Sequence, residues 1–367
     1  MIYLDHGATS FPKPAPVRHA VTDAMLRCAN PGRSGHEAAM AAARLVYDAR
    51  CTAAKLFSCA PEQVVFTSNC THGLNIAIRT LVKPGDRVVI SGFEHNAVTR
   101  TLHDLGAEII VAGRKLFDWE DSLREFQKAL EQGPKAAVFT HVSNVFGYIL
   151  PVQEMGWLCR CRGIPFIVDA AQSAGHLPVS LSSSGASFIA MPGHKGLLGP
   201  MGTGLLLCAQ SPEPVLTGGT GSESESQSMP LELPERCEAG TVNVPGIAGL
   251  DAGMKLVLTE GIHRIGRREA QAAKSAAEQL EELGLRVFHG ANQAGTLSFV
   301  PNCDCEELAD CLARQGIAVR AGLHCAPLAH ESAGTLATGT VRASVGFDTT
   351  PAHIRALVRA CAKGKRQ

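Results

Sequence analysis

The chain has 367 residues, 45% hydrophobic and 19% charged, and its 34 Lys+Arg are matched by 34 Asp+Glu. That length exceeds what one hydrophobic core usually supports, so two lobes are expected. A formal net charge of zero speaks against a nucleic-acid groove or a basic membrane patch, and no apolar run approaches a membrane span.

Asp5 places a charge early and no basic stretch precedes it, so no secretory signal is read and a cytoplasmic location is expected. The 13 Cys are odd in number and scattered, which does not describe a disulfide framework. The pairs Cys159/Cys161 and Cys303/Cys305 have C-x-C spacing without a nearby His pattern, so no metal site is expected.

In chain order, residues 37–56 are Ala-rich with apolar positions at helical spacing and predict a helix. Val64-Val65-Phe66 reads as a strand that runs into the polar turn 67–73. Residues 88–91 follow the turn Lys83-Pro84-Gly85-Asp86, and 136–142 follow Gly133-Pro134. With 164–169, 187–191 and 204–208 they are short continuous apolar runs bounded by Gly and Pro, as expected of strands buried on both faces. An amphipathic helix is expected at 119–132. The alternation predicts an α/β domain with a parallel or mixed sheet. The segment 217–240, rich in Gly, Ser and Glu, reads as a long loop. From about Gly249 the pattern becomes α+β: a charged helix at 260–283, helices at 305–314 and 351–362, and strands at 295–301, 317–320 and 340–345.

The chemistry centres on SFIAMPGHKGLLGPMGTG at 187–204. It delivers Lys195 from an apolar strand into a Gly-rich turn, where backbone approaches a ligand closely. Taken alone, a loop lysine is ordinarily a solvated surface group. Asp169 ends the preceding apolar strand, at the edge where open α/β sheets bind ligands, although such an acid also serves as a helix N-cap. A lysine and an acid at successive strand ends meet the needs of pyridoxal phosphate (PLP): an amine for a Schiff base and a carboxylate for its pyridinium nitrogen. The turn 67–73 opens a helix and offers N–H and hydroxyl donors to a phosphate, a weak signal by itself. His95, in Glu94-His95-Asn96, follows the strand at 88–91, where an imidazole can stack on a ring.

With these residues in place the chain resembles the class V aminotransferase-like, fold-type I PLP enzymes, and within them the cysteine desulfurase and selenocysteine lyase group. The resemblance is carried by YLDHGATSFPKP at 3–14, NPGRSGH at 30–36, FTSNCTHGLN at 66–75, EHNAV at 94–98, HVSNVFGYILPV at 141–152, VDAAQSAG at 168–175, PGHKGLLGPMGTG at 192–204, GGTGSESES at 218–226, EAGTVNVPGIAGL at 238–250 and RAGLHCAPLAH at 320–330. It implies a homodimer, with a large PLP-binding mixed-sheet α/β domain at 15–248 and a smaller α+β domain from 1–14 and 249–367.

The resemblance also implies roles. Lys195 resembles the Schiff-base lysine, Asp169 the pyridinium partner, Gln172 the donor to the phenolate oxygen and His95 the stacking, catalytic imidazole. Thr71 and His194 fall on phosphate-contacting positions, Cys70 beside them among the cofactor contacts, and Thr241 on a contact donated by the second subunit. Asn144 falls near substrate and cofactor, Arg342 on the arginine that grips the substrate carboxylate, and His6 and Gly7 on the substrate pocket. Cys325, in Arg320-Ala321-Gly322-Leu323-His324-Cys325, resembles the cysteine that attacks the substrate sulfur and becomes a persulfide. Read without the resemblance it is one small apolar Cys among thirteen. His324 and Arg320 are expected to act as its cationic neighbours, and the 17 positions from Cys325 to Arg342 (342 − 325) imply a short, ordered loop.

The implied reaction takes L-cysteine to L-alanine, with sulfur passed to Cys325 and on to an acceptor protein; no nucleic acid or membrane partner is expected. Lysis of selenocysteine or cysteine sulfinate, aminotransfer and epimerisation on the same scaffold stay open. Three departures bear on substrate. His6 stands where most relatives have Asn, Pro192 where many have Ser or Thr and so removes a phosphate donor, and Phe146 and Tyr148 where smaller residues are common, narrowing the pocket.

Overall fold

Short aliphatic runs without polar interruption must be covered on both faces, and they build the central sheet of this protein. The computed structural model describes residues 1–32 and 34–364, so Arg33 of the motif at 30–36 lies outside the described residues. The chain opens with β1 (Ile2–Tyr3) and the helices α1 (Ala15–Arg27) and α2 (Glu37–Phe57). Then follow β2 (Val64–Thr67), α3 (Cys70–Leu81), β3 (Arg87–Ser91), α4 (Asn96–Asp104), β4 (Glu108–Ala112), α5 (Trp119–Leu130) and β5 (Ala136–Thr140). Next come α6 (Val152–Cys161), β6 (Phe166–Asp169), α7 (Leu181–Ser184), β7 (Phe188–Pro192), β8 (Gly204–Cys208) and α8 (Val244–Glu260).

These strands form a seven-stranded sheet in the order β2-β8-β7-β6-β5-β3-β4. Pairing is parallel from β4 through β7, and β8 runs antiparallel to β7 and β2. Every residue of β2, β5, β6, β7 and β8 is buried. One face packs on α2, α5, α6 and α8 through residues such as Ala49, Phe126, Met155 and Leu250. The other packs on α3 and α4 through Leu74 and Leu102. The edge strand β4, which the sequence reading does not resolve, starts with two exposed residues, Glu108 and Ile109, and lacks the signature of a doubly covered strand.

The C-terminal part adds α9 (Ile262–Glu282), β9 (Arg286–Phe288), β10 (Thr296–Val300), α10 (Cys305–Arg314), β11 (Ile317–Ala318), β12 (Arg320–Gly322), α11 (Pro327–Ala333), β13 (Thr340–Ser344) and α12 (Pro351–Gly364). An antiparallel sheet, β12-β13-β10-β9, and a separate core of Leu280, Phe299, Leu312, Val341 and Leu357 give the expected α+β lobe. The N-terminus joins it, because β1 pairs in parallel with β11. One boundary needs correction. Helix α8 runs unbroken through residues 248 and 249, and its Leu250, Met254 and Val257 sit in the large core. The large body therefore extends past 248, to Gly261, whose φ of 83° separates α8 from α9. Among the described residues no helix is long and apolar enough to cross a membrane.

A buried ion pair pins the end of the 217–240 loop to this body. Arg50 of α2 donates to Val64 O and to the Glu238 carboxylate, and its guanidinium lies 4.6 Å from the Phe66 ring centroid. Glu238 also accepts from Phe66 N at 2.6 Å. Replacing Arg50 by Met strands a buried carboxylate, and urea unfolding is expected to show a loss of about 3–5 kcal/mol. A loss below about 1 kcal/mol would mean that the pair is screened like a surface one.

Candidate active site

The carboxyl ends of β2, β3, β5, β6 and β7 converge, as ligand-binding edges of α/β sheets do. With Gly7 and Ala8 of the N-terminal segment and Arg320, His324, Cys325 and Arg342 of the C-terminal lobe, they line a cavity of about 240 Å³. Asn69, Cys70, Thr71, His95, Asn144, Asp169, Gln172, Pro192, His194 and Lys195 line the same cavity. A second cavity of about 300 Å³, around Tyr47, Arg50, Glu238 and Thr241, contains no lysine, cysteine or histidine.

After β2, Asn69 caps α3 by accepting from His72 N at 2.9 Å, so the amino-terminal end of a helix borders the cavity at Cys70 and Thr71. A helix start of this kind favours an anion. At the end of β6, Asp169 Oδ1 accepts from Ala171 N at 2.8 Å and from the Cys70 thiol at 3.4 Å. After β7, Lys195 sits where burial pushes its ammonium below the usual lysine range, against the opposing pull of Asp169. The turn that carries it is tight: a side chain at Gly196 would collide with Ala174 O and the His176 ring.

His95 caps α4, its Nδ1 accepting from Ala97 N at 3.0 Å. The proton of the neutral ring is then on Nε2; burial lowers this imidazole's pKa, with Asp169 opposing. Gln172 Nε2 donates to Gly7 O at 2.9 Å. Arg342, from β13, is 2% exposed. It donates to Asn144 O at 2.9 Å and to Asp5 Oδ1 at 2.7 Å, and its Nε has no partner. A buried guanidinium with a spare donor suits an incoming carboxylate.

Cys325 is exposed at the cavity's mouth, between β12 and α11. His324 and Cys325 both adopt positive φ, 50° and 56°, a conformation costing roughly 1–3 kcal/mol per non-glycine residue. Two asparagines of the large body hold it. Asn144 Nδ2 donates to His324 O at 2.7 Å, and Asn96 N donates to Cys325 O at 2.8 Å.

An amine, a carboxylate, a stackable imidazole and a helix start at one cavity fit a flat, anionic pyridine aldehyde such as PLP. A family model described as Aminotransferase class-V matches residues 2–357. The chain belongs to that family. A probable cysteine desulfurase of Methanothermobacter thermautotrophicus is 34% identical, over 97% of this chain and 92% of its own. One from Pyrococcus abyssi is 34% identical, over 94% of this chain and 89% of its own. The apo structure of cysteine desulfurase from Thermococcus onnurineus NA1 superposes with a TM-score of 0.90 at 31% identity, covering 100% of this chain and 94% of that one. The large mixed sheet with its α+β lobe is thus the fold-type I architecture of class-V enzymes.

Within this class-V frame several sequence expectations change. His6 does not line the cavity; it lies 3.4 Å from Asp348 and edge-on to Tyr3, because the bridge of Asp5 to Ser344 turns Gly7 and Ala8 inward instead. Phe146 and Tyr148 do not narrow the pocket. Both are fully buried, Phe146 against Phe288 and His330, and Tyr148 against Phe93 and Phe117 with its hydroxyl on Ser122. His324 is no cationic neighbour of Cys325, since burial, with Arg342 adding to it, drives its pKa down to about 2. Thr241 is exposed and lies at the second cavity. Sequence reasoning missed Asp5, the partner of Arg342, although it stands two residues before Gly7 in the first motif.

Proposed function

We propose that this protein is a PLP-dependent cysteine desulfurase, converting L-cysteine to L-alanine with sulfur passing to Cys325. The observation that carries the reading is the shared cavity of Lys195, Asp169, Arg342 and an exposed Cys325. It is supported by relatives and a solved structure named cysteine desulfurase. When bound, PLP supplies an electron sink for charge at the substrate Cα. Lys195 would hold it covalently, Asp169 would pair with its ring nitrogen, His95 would stack on the ring and Gln172 would donate to its phenolate. Thr71, His194 and the start of α3, with Cys70 alongside, would hold its phosphate, and Thr241 of a second copy would complete that cradle in a homodimer.

Arg342 then binds the substrate carboxylate, and Asn144 orients the amino acid while its amide keeps the Cys325 loop in place. Lys195, whose ammonium burial disfavours, takes the α-proton as the free amine. The Cys325 thiolate attacks the substrate sulfur, an S–S bond forms, and the Cβ–S bond breaks with its electrons left on carbon. Protons returned at Cβ and Cα give alanine, and a thiol or an acceptor protein removes the persulfide sulfur.

Incubation with L-cysteine and a thiol reductant tests this. Sulfide and alanine are expected in equal amounts. Pyruvate and ammonia in place of alanine would move the assignment to another lyase of the same fold.

A further inference from the structure

The His194 carbonyl oxygen, one peptide before Lys195, lies within hydrogen-bond distance of four donors. Ser10 N approaches at 2.9 Å, Thr9 Oγ1 at 3.0 Å, Ser10 Oγ at 3.1 Å and Lys13 Nζ at 2.8 Å. A carbonyl has two lone pairs, so this oxygen is saturated and its peptide plane fixed. Lys13 Nζ also donates to Ser10 Oγ at 2.7 Å. Its ammonium has no carboxylate partner among the described residues, and burial lowers its pKa to about 8. The titratable group facing it is the His194 ring, held near 4 by burial, with Lys195 and Lys13 adding to that. A half-buried ammonium without a counter-ion is costly, and what it gains here is the clamp on His194 O.

We propose that Lys13 is a positioning residue for Lys195. The inference rests on the reading of Lys195 as the cofactor-bearing lysine. Its peptide is held on both sides. Lys13, Ser10 and Thr9 grip the carbonyl before it, and Leu198 N bonds to Lys195 O at 2.9 Å after it. The same N-terminal strap reaches the substrate side, where Asp5 pairs with Arg342 and Gly7 N donates to Ser344 Oγ at 2.7 Å. Lys13 is rooted at its other end, since Pro14 caps α1. The strap therefore sets the amine of Lys195 in register with the guanidinium of Arg342, the kind of preorganisation on which rate depends. The charge on Lys13 is present below its pKa and is lost as pH rises through about 8, which weakens the charge-assisted bond to His194 O.

The test compares wild type, Lys13→Met and Lys13→Arg. Cofactor is added to the apo form of each, and its attachment to Lys195 is followed by visible absorption. Turnover of L-cysteine is then measured across pH. Lys13→Met is expected to lower the attachment rate and kcat by about ten-fold, with KM unchanged within roughly two-fold. Lys13→Arg is expected to restore both and to hold its activity above pH 8, where the wild type declines. Attachment and kcat of Lys13→Met within roughly two-fold of wild type would overturn the proposal. So would a loss that comes with a lowered melting temperature and that Arg does not restore, which would make Lys13 a fold contact only. If the wild type forms no absorption band, the reading of Lys195 fails first and this inference with it.

Discussion

Lys195→Ala abolishes turnover, with kcat falling by roughly 10³–10⁴-fold or more, and the protein no longer develops the visible band of a lysine-bound cofactor. Two losses coincide. The amine that would hold PLP is gone, and so is the base placed to move the α-proton. The fold should survive, because Lys195 sits in a turn braced by its neighbours' backbone, with Leu198 N on its carbonyl oxygen and Ser10 N on that of His194. Removing an ammonium whose burial is already unfavourable relieves the site of a desolvation cost. Circular dichroism of the variant should match the wild type while its cofactor band is missing. A variant that keeps a lysine-type band and activity within about ten-fold of wild type would place the Schiff base on another lysine.

Cys325→Ala separates the two halves of the reaction. The side chain is exposed, so its loss leaves no cavity, and the loop stays held through Asn144 Nδ2 on His324 O and Asn96 N on Cys325 O. Those bonds engage backbone carbonyls that alanine retains. L-cysteine should therefore still bind and still perturb the cofactor spectrum, while alanine and sulfide production falls roughly 10²–10⁴-fold. His324 contributes position rather than charge. It is buried and neutral, with its Nε2 at 3.1 Å from Thr340 O. Asn144 serves both halves, since its own carbonyl accepts from Arg342 and its amide holds the loop.

Much of this site was legible because its chemistry is local in sequence. Asp169 ends one apolar strand and Lys195 lies in the turn just after the next, and parallel pairing of β6 with β7 brings these successive strand ends to one edge. Thr71 and Cys70 follow a strand directly and open a helix. What could not be read depends on distant partners. The inward or outward aim of His6 is decided by pairing with residues more than 330 positions away, through Asp5 on Ser344 and His6 on Asp348. Phe146 packs on β9 and α11, so its burial is a property of the contact between lobes, while Tyr148 is buried against Phe93, Phe117 and Ser122 of the large body, all at least 26 positions away. The charge state of His324 follows from burial beside Arg342, which no spacing reveals. The clamp on His194 O is a backbone acceptor, invisible to any motif, although Thr9, Ser10 and Lys13 all lie in the first one.

The most direct measurement is the mass of the peptide carrying Cys325 after wild-type protein, loaded with PLP, has reacted with L-cysteine in the absence of reductant. The account predicts a gain of one sulfur atom on that peptide, reversed by a thiol, with one alanine released for each sulfur gained. Alanine formed while the Cys325 peptide keeps its original mass, with the sulfur on another of the thirteen cysteines or free in solution, would contradict it.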